Sequence, residues 1–234
     1  MPVRRSVSRA LTAVLSGRLV AGPRIEDAVR VAAELVSDGR RVALEHAPGP
    51  SDDAAAAVEF TALIARVHAA GLAPACELTL PAEHRELAAV AAGAGLRVVL
   101  TGRVGTPPPG AGVVVPAGVP DAEARCRVYG SGRVRLAEGR GSAADLAFVR
   151  CLNVLMAADG RPGIAASDRR LIAIAGERAA WNGRTPDSWE HVMPYGVLTD
   201  EQHRLVAGGY AVRVAVPSGA GAAALLARRL GGWA

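Results

Sequence analysis

From about residue 20 onward, short runs rich in β-branched residues alternate with longer stretches whose apolar positions recur every three or four residues. The runs fall at 41–46, 75–80, 96–101, 112–116, 133–138, 163–167, 190–195 and 211–216. Helical spacing is found at 25–37, 51–70, 81–92, 142–158, 168–180, 199–207 and 221–230. Ser51 or Asp52 is placed to cap the second helix, and Thr199 with Gln202 has capping-box spacing. Within 142–158, Phe148, Leu152 and Leu155 share a face, as do Leu171, Ile172 and Ala175 within 168–180. Strand–helix alternation implies a parallel sheet, and eight strands is the number that closes one. The expected fold is therefore α/β, a (β/α)8 barrel of the TIM type. One crossover breaks the rule: residues 102–111 contain Pro107, Pro108 and Pro109 in succession, which forbids a helix between the third and fourth strands. The barrel is expected to be irregular on that side. Residues 1–20 are expected to form an amphipathic helix, its apolar positions interrupted by Arg9 and Arg18, and residues 21–234 the barrel, with no inter-domain linker.

Composition narrows the function. All 27 basic residues are arginine, and no lysine occurs anywhere in the 234 residues. Schiff-base chemistry, a pyridoxal-phosphate anchor and a phosphate loop that needs lysine are excluded. The net charge of +5 invites a nucleic-acid reading, but the arginines are dispersed and aromatic residues make up only 3%, too few for a base-stacking surface. No nucleic-acid partner is expected. The longest uncharged stretch, 104–120, carries five prolines and cannot be a spanning helix. Cys76, Cys126 and Cys151 are odd in number and widely spaced, which suits reduced thiols in a cytoplasmic protein rather than a disulfide framework or a zinc site.

In a barrel of this type, chemistry gathers at the C-terminal ends of the strands. The candidates there are Glu45, His46, Glu77, Thr79, Arg135, Glu138, Asp168, His191 and Tyr195, with Arg228 and Arg229 on the last helix. His68 and His84 read as helix-surface residues. Glu45, His46, Glu77 and Glu138 would suit a divalent metal or an acid–base pair, although their spacing does not require either.

The order of several short motifs resembles the proline dehydrogenase family. They are GRLVAG at 17–22 leading into IEDAV at 25–29, LEH at 44–46, VRL at 134–136 with Gly139, and IA at 164–165 followed by DRRLI at 168–172. MPYGV at 193–197, GYAVRV at 209–214 with Val216 and Pro217, and LARRL at 226–230 complete the set. The resemblance implies a distorted barrel that binds FAD and oxidises L-proline to pyrroline-5-carboxylate by hydride transfer to the flavin. It assigns Arg228 and Arg229 to the grip on a small carboxylate or imino-acid substrate, a task for which the planar guanidinium fork is suited. It places Arg135 near the flavin, with His46 as a further cofactor-side candidate, and it makes Tyr195, Glu77 and Glu138 site residues.

The sequence also departs from the family. Glu77 and Glu138 stand where the family has flavin-facing lysines, Ala215 and Leu225 where it has tyrosines, and Ala166–Ser167 where it has Thr-His. A unit charge about 5 Å from a reduced flavin is worth roughly 3 kcal/mol at an effective dielectric near 20, so a lysine-to-glutamate reversal works against the family reaction. Pairing of Glu77 and Glu138 with Arg135, Arg228 or Arg229 would relieve it. Three readings follow: a flavin oxidoreductase with altered substrate or weakened activity, a flavin-free pseudoenzyme that binds a small carboxylate or a protein partner, or a repurposed acidic or metal-dependent site.

Overall fold

A computed structural model describes residues 18–50 and 52–231, with side chains described as far as Ala227. Eight parallel strands form a closed barrel in sequence order. The strands are β1 (Arg41–His46), β2 (Cys76–Pro81), β3 (Arg97–Thr101), β4 (Gly112–Pro116), β5 (Val134–Ala137), β6 (Gly163–Ala165), β7 (Glu190–Pro194) and β8 (Val212–Ser218). The helices are α1 (Ile25–Ser37), α2 (Asp53–Ala69), α3 (Leu87–Gly93), α4 (Ala122–Tyr129), α5 (Ser142–Ala157), α6 (Arg169–Trp181), α7 (Thr199–Ala207) and α8 (Ala222–Gly231).

The helices form because their buried positions repeat at helical spacing. α1 buries Ala28, Val31, Ala32 and Leu35, and α2 buries Phe60, Leu63, Ile64 and Val67. The Asp52 side chain accepts from the Ala55 amide at 2.8 Å, the expected cap of α2. On the strands, alternate residues face opposite ways. Val42 and Leu44 pack outward into one large apolar cluster with α1 and α2, while Ala43 joins Val192 and Ala215 in a small separate cluster inside the barrel. The outer apolar shell is itself in two halves, one around β1–β3 and one around β4–β7.

The seam between those halves is the crossover without a helix. β3 and β4 share only the pairs Val99↔Gly112 and Leu100↔Val113, whereas β1 and β8 pair over six residues from Arg41↔Arg213 to His46↔Ser218. The barrel nonetheless closes there. Two elements differ from the sequence expectation. The stretch 81–92 is not one helix: β2 runs to Pro81, a single 3₁₀ turn occupies Ala82–His84, and α3 follows. A helix not expected from the sequence, α4, fills the fourth crossover; it is short, strongly charged and buries only Ala122 and Cys126. The N-terminal helix expected at 1–20 lies outside the described residues except for its end, where Arg18 and Leu19 are helical.

Candidate active site

A barrel of this kind usually fills its interior with layers of branched aliphatic side chains. Here the part below the C-terminal mouth is filled by ions. Glu77 accepts from Arg133 Nε at 2.5 Å and from Arg135 Nη2, and Glu190 accepts from Arg133 Nη2 at 2.6 Å, Arg213 Nε at 2.7 Å and Arg41 Nη1 at 3.2 Å. Arg213, fully buried, also donates to the carbonyls of Val42 at 2.8 Å and Ala75 at 3.3 Å. Burial alone would raise the Glu77 carboxyl pKa, but the charges of Arg135, Arg213 and Arg133 outweigh it and hold the group well below the usual carboxylate range. Glu190 is held low in the same way by Arg213. With Arg97 at the start of β3 and Glu45 near the end of β1, the interior holds five arginines against three glutamates. Every arginine stays protonated at any pH the fold survives, so the interior carries net positive charge.

Above this plug opens a cavity of about 1530 Å³ at the C-terminal mouth. Small side chains shape its floor, among them Val114, Ala137, Ala165, Val192 and Ala215. Of the interior ions, Arg135 and Glu45 reach it. Arg135 Nη1 donates to Thr79 Oγ1 at 3.0 Å and to Glu45 at 3.2 Å, and its Nη2 to Glu77, while its buried Nε has no partner among the described residues. A buried N–H without an acceptor is uncommon in a folded protein, and this one is sealed beneath the cavity wall.

His46, also on the cavity wall, is fixed from two sides: its Nδ1 lies 2.9 Å from Ser218 Oγ and its Nε2 lies 2.7 Å from Glu59 Oε1. These contacts tie β1 to α2 and β8. The turn after β8 makes them possible at Gly219, where φ is +93° and a Cβ would meet the Ala47 carbonyl oxygen at 2.2 Å and the His46 ring at 2.9 Å. Phe60 packs its ring 6.1 Å from His46 and 5.4 Å from His84.

The structure brings Glu45, His46, Thr79, Arg135, Glu138, Asp168 and Tyr195 to the cavity and leaves others out. Glu77 is not at the mouth; it sits one side-chain layer lower, two residues before Thr79 on the same face of β2, and is 1% exposed. Glu138 is at the rim but does not pair with Arg135: its carboxylate accepts from the Ser167 amide at 2.9 Å, the Ser167 hydroxyl and the Asp168 amide at 3.3 Å, tying the ends of β5 and β6 together. His191 faces outward between β7 and α7, stacked 4.4 Å from Trp189, and burial lowers its pKa to about 4. His84 is the reverse case: expected on a helix surface, it is 6% exposed and lines the cavity, because the turn at Ala82–His84 folds it inward. Nothing in the residues around His84 signalled this. The side chains of Arg228 and Arg229 lie outside the described residues. The structure does not gather Glu45, His46, Glu77 and Glu138 into a metal site, and no group of three or more potential ligands occurs among the described residues.

No protein-family model matches the chain, and no curated protein matches it. Solved structures do. Proline utilization A from Bdellovibrio bacteriovorus, inactivated by N-propargylglycine, matches over 96% of this chain and 33% of its own, with a TM-score of 0.79 at 14% identity. A variant of the Bradyrhizobium japonicum protein matches 98% of this chain and 32% of its own, at a TM-score of 0.68 and 16% identity. The Corynebacterium freiburgense protein matches 95% of this chain and 31% of its own, at 0.65 and 14%. The chain has a proline dehydrogenase-like fold. It spans about a third of the length of these structures. Within this proline dehydrogenase-like barrel, no described helix is long and apolar enough to cross a membrane.

Proposed function

We propose that the protein is a flavin-dependent oxidoreductase acting on a small amino- or imino-acid carboxylate, with FAD in the C-terminal cavity. The observation that carries this reading is Arg135, a buried guanidinium on the wall of the cavity. Bound FAD would supply the acceptor of a hydride. The residues present fit it: 1530 Å³ exceeds the ~300–1,000 Å³ typical of small-molecule sites and leaves room for cofactor and substrate together. Glu77 does not defeat the chemistry, since its charge is consumed by Arg133 and Arg135 beneath the floor. The net positive interior stabilises negative charge that develops above it. Glu45 and Thr79 hold the Arg135 guanidinium in one orientation, and Tyr195 and Leu225 wall the space above.

The carboxylate grip falls to Arg228 and Arg229 on the last helix, the role the family resemblance gives these two positions. Purified protein incubated with FAD is expected to retain the flavin, seen as absorbance near about 450 nm after desalting. Arg135→Gln should weaken that retention at least about tenfold, the loss of one charge-assisted contact. Arg229→Ala should abolish turnover and leave the flavin bound. A wild-type protein that stays colourless with FAD added would sink the proposal and favour a flavin-free carboxylate binder.

A further inference from the structure

The opposite, N-terminal end of the barrel holds a second concentration of charge that the proposed chemistry does not use. A cavity of about 10 Å³ is lined there by Arg41, Arg97, Arg133, Arg161, Asp187 and Glu190. They come from five separate stretches around the barrel: the starts of β1 and β3, the residue before β5, the loop before β6, and the segment 187–190 that leads into β7. Closure of the sheet alone brings them together.

The two carboxylates do not balance the four guanidinia. Glu190 is shared between Arg41, Arg133 and Arg213. The Asp187 carboxylate accepts from the Thr185 hydroxyl at 2.6 Å and feels the charges of Arg161 and Arg41, while Arg161 hydrogen-bonds the Asp187 main-chain carbonyl. Arg97, half-buried, makes no hydrogen bond and no ion pair within 4 Å among the described residues. Partial burial and the charges of Arg133, Arg213 and Arg41 lower its pKa, with Glu190 the one opposing charge. Like charges held this close repel, and lysine-style relief by deprotonation is not open to arginine. The space between them is about one water in size.

We propose that this mouth is a binding site for a small inorganic anion, held between Arg97, Arg41 and Arg133. The cavity admits one chloride-sized atom, which is either a halide or the leading oxygen of a phosphate-type oxyanion whose remainder stays in solvent. Among the described residues the guanidinium N–H groups of Arg97 have no other acceptor, and the anion supplies charge that Glu190, Glu77 and Asp187, shared among the surrounding arginines, do not. The site rests on charge and geometry at the N-terminal end and is independent of whether flavin occupies the C-terminal one.

The test is thermal unfolding of the full chain at constant ionic strength, with sodium gluconate replaced stepwise by sodium chloride in one series and by sodium phosphate in another. Gluconate, a bulky monocarboxylate, is the reference anion, so each series reads affinity relative to it at fixed screening. The wild-type melting temperature is expected to rise by several degrees and saturate in the chloride or the phosphate series; which series saturates at lower concentration identifies the anion. Arg97→Gln is expected to melt higher than wild type in gluconate, because repulsion is relieved, and to need at least about tenfold more anion for any rise. Arg103→Gln, an exposed arginine at the other end of β3, should respond as wild type does. Superimposable wild-type melting temperatures in all three salts would overturn the proposal, as would an Arg97→Gln protein that keeps the full anion response.

Discussion

Glu77 shows how one side chain can be read correctly in kind and wrongly in place. Its partner Arg135 was legible, since a buried carboxylate on a barrel strand needs a cation and only arginines are present. Its depth was not, because the period-two pattern of β2 puts Glu77 and Thr79 on the same face and does not say which reaches the cavity. Glu77→Gln leaves Arg133 and Arg135 without their shared carboxylate and should cost about 3–5 kcal/mol in denaturant unfolding. Because its folded pKa lies below the unfolded value near about 4.3, the stability it contributes is full above that pH and is lost as the pH falls further. His191 acts in a higher window. Buried neutral with a pKa of about 4, it binds a proton more readily when unfolded, so stability should fall by up to about 3 kcal/mol as pH drops from about 6.5 towards 4. His191→Phe, which keeps a ring between Trp189 and Tyr210, should flatten that dependence in urea midpoints taken at pH 7 and pH 5. An unchanged slope would show that other groups titrate there.

At the level of elements, all eight strands were visible as β-branched runs, and the helix-free third crossover was visible as three prolines. α4 escaped because two buried positions, Ala122 and Cys126, make no apolar stripe long enough to read against Glu123, Arg125 and Arg127. The end of α5 depends on a contact that no local pattern encodes. Arg184, well beyond the helix, donates to the carbonyls of Leu155 at 3.1 Å, Met156 at 3.0 Å and Ala158, and to that of Gly160 at 2.9 Å. These are carbonyls that a helix leaves unsatisfied at its C-terminus, and one planar fork serves several of them. Arg184→Ala should therefore lower unfolding free energy by about 2–3 kcal/mol, more than an ordinary surface substitution, with Arg184→Lys restoring little of it. Equal stability of the lysine and arginine proteins would refute the role of the fork.

Over the whole molecule, the absence of lysine has a structural counterpart in the barrel interior, where among the described residues arginines carry the positive charge and Glu77 and Glu190 are each shared between several of them. Such an interior was beyond reach of the sequence, since the strands that bring Arg41, Arg97, Arg133 and Arg213 together are separated by most of the chain. If FAD binds the folded chain alone, its melting temperature must climb with FAD concentration, by the equivalent of about 2.7 kcal/mol at a hundred times the dissociation constant. A melting temperature indifferent to FAD would argue against the cofactor as directly as a missing colour. The ionic plug also makes the C-terminal cavity a cup, closed below and, among the described residues, entered from the mouth. Whatever rests on its floor must arrive before whatever rests nearer the rim, and cannot depart ahead of it.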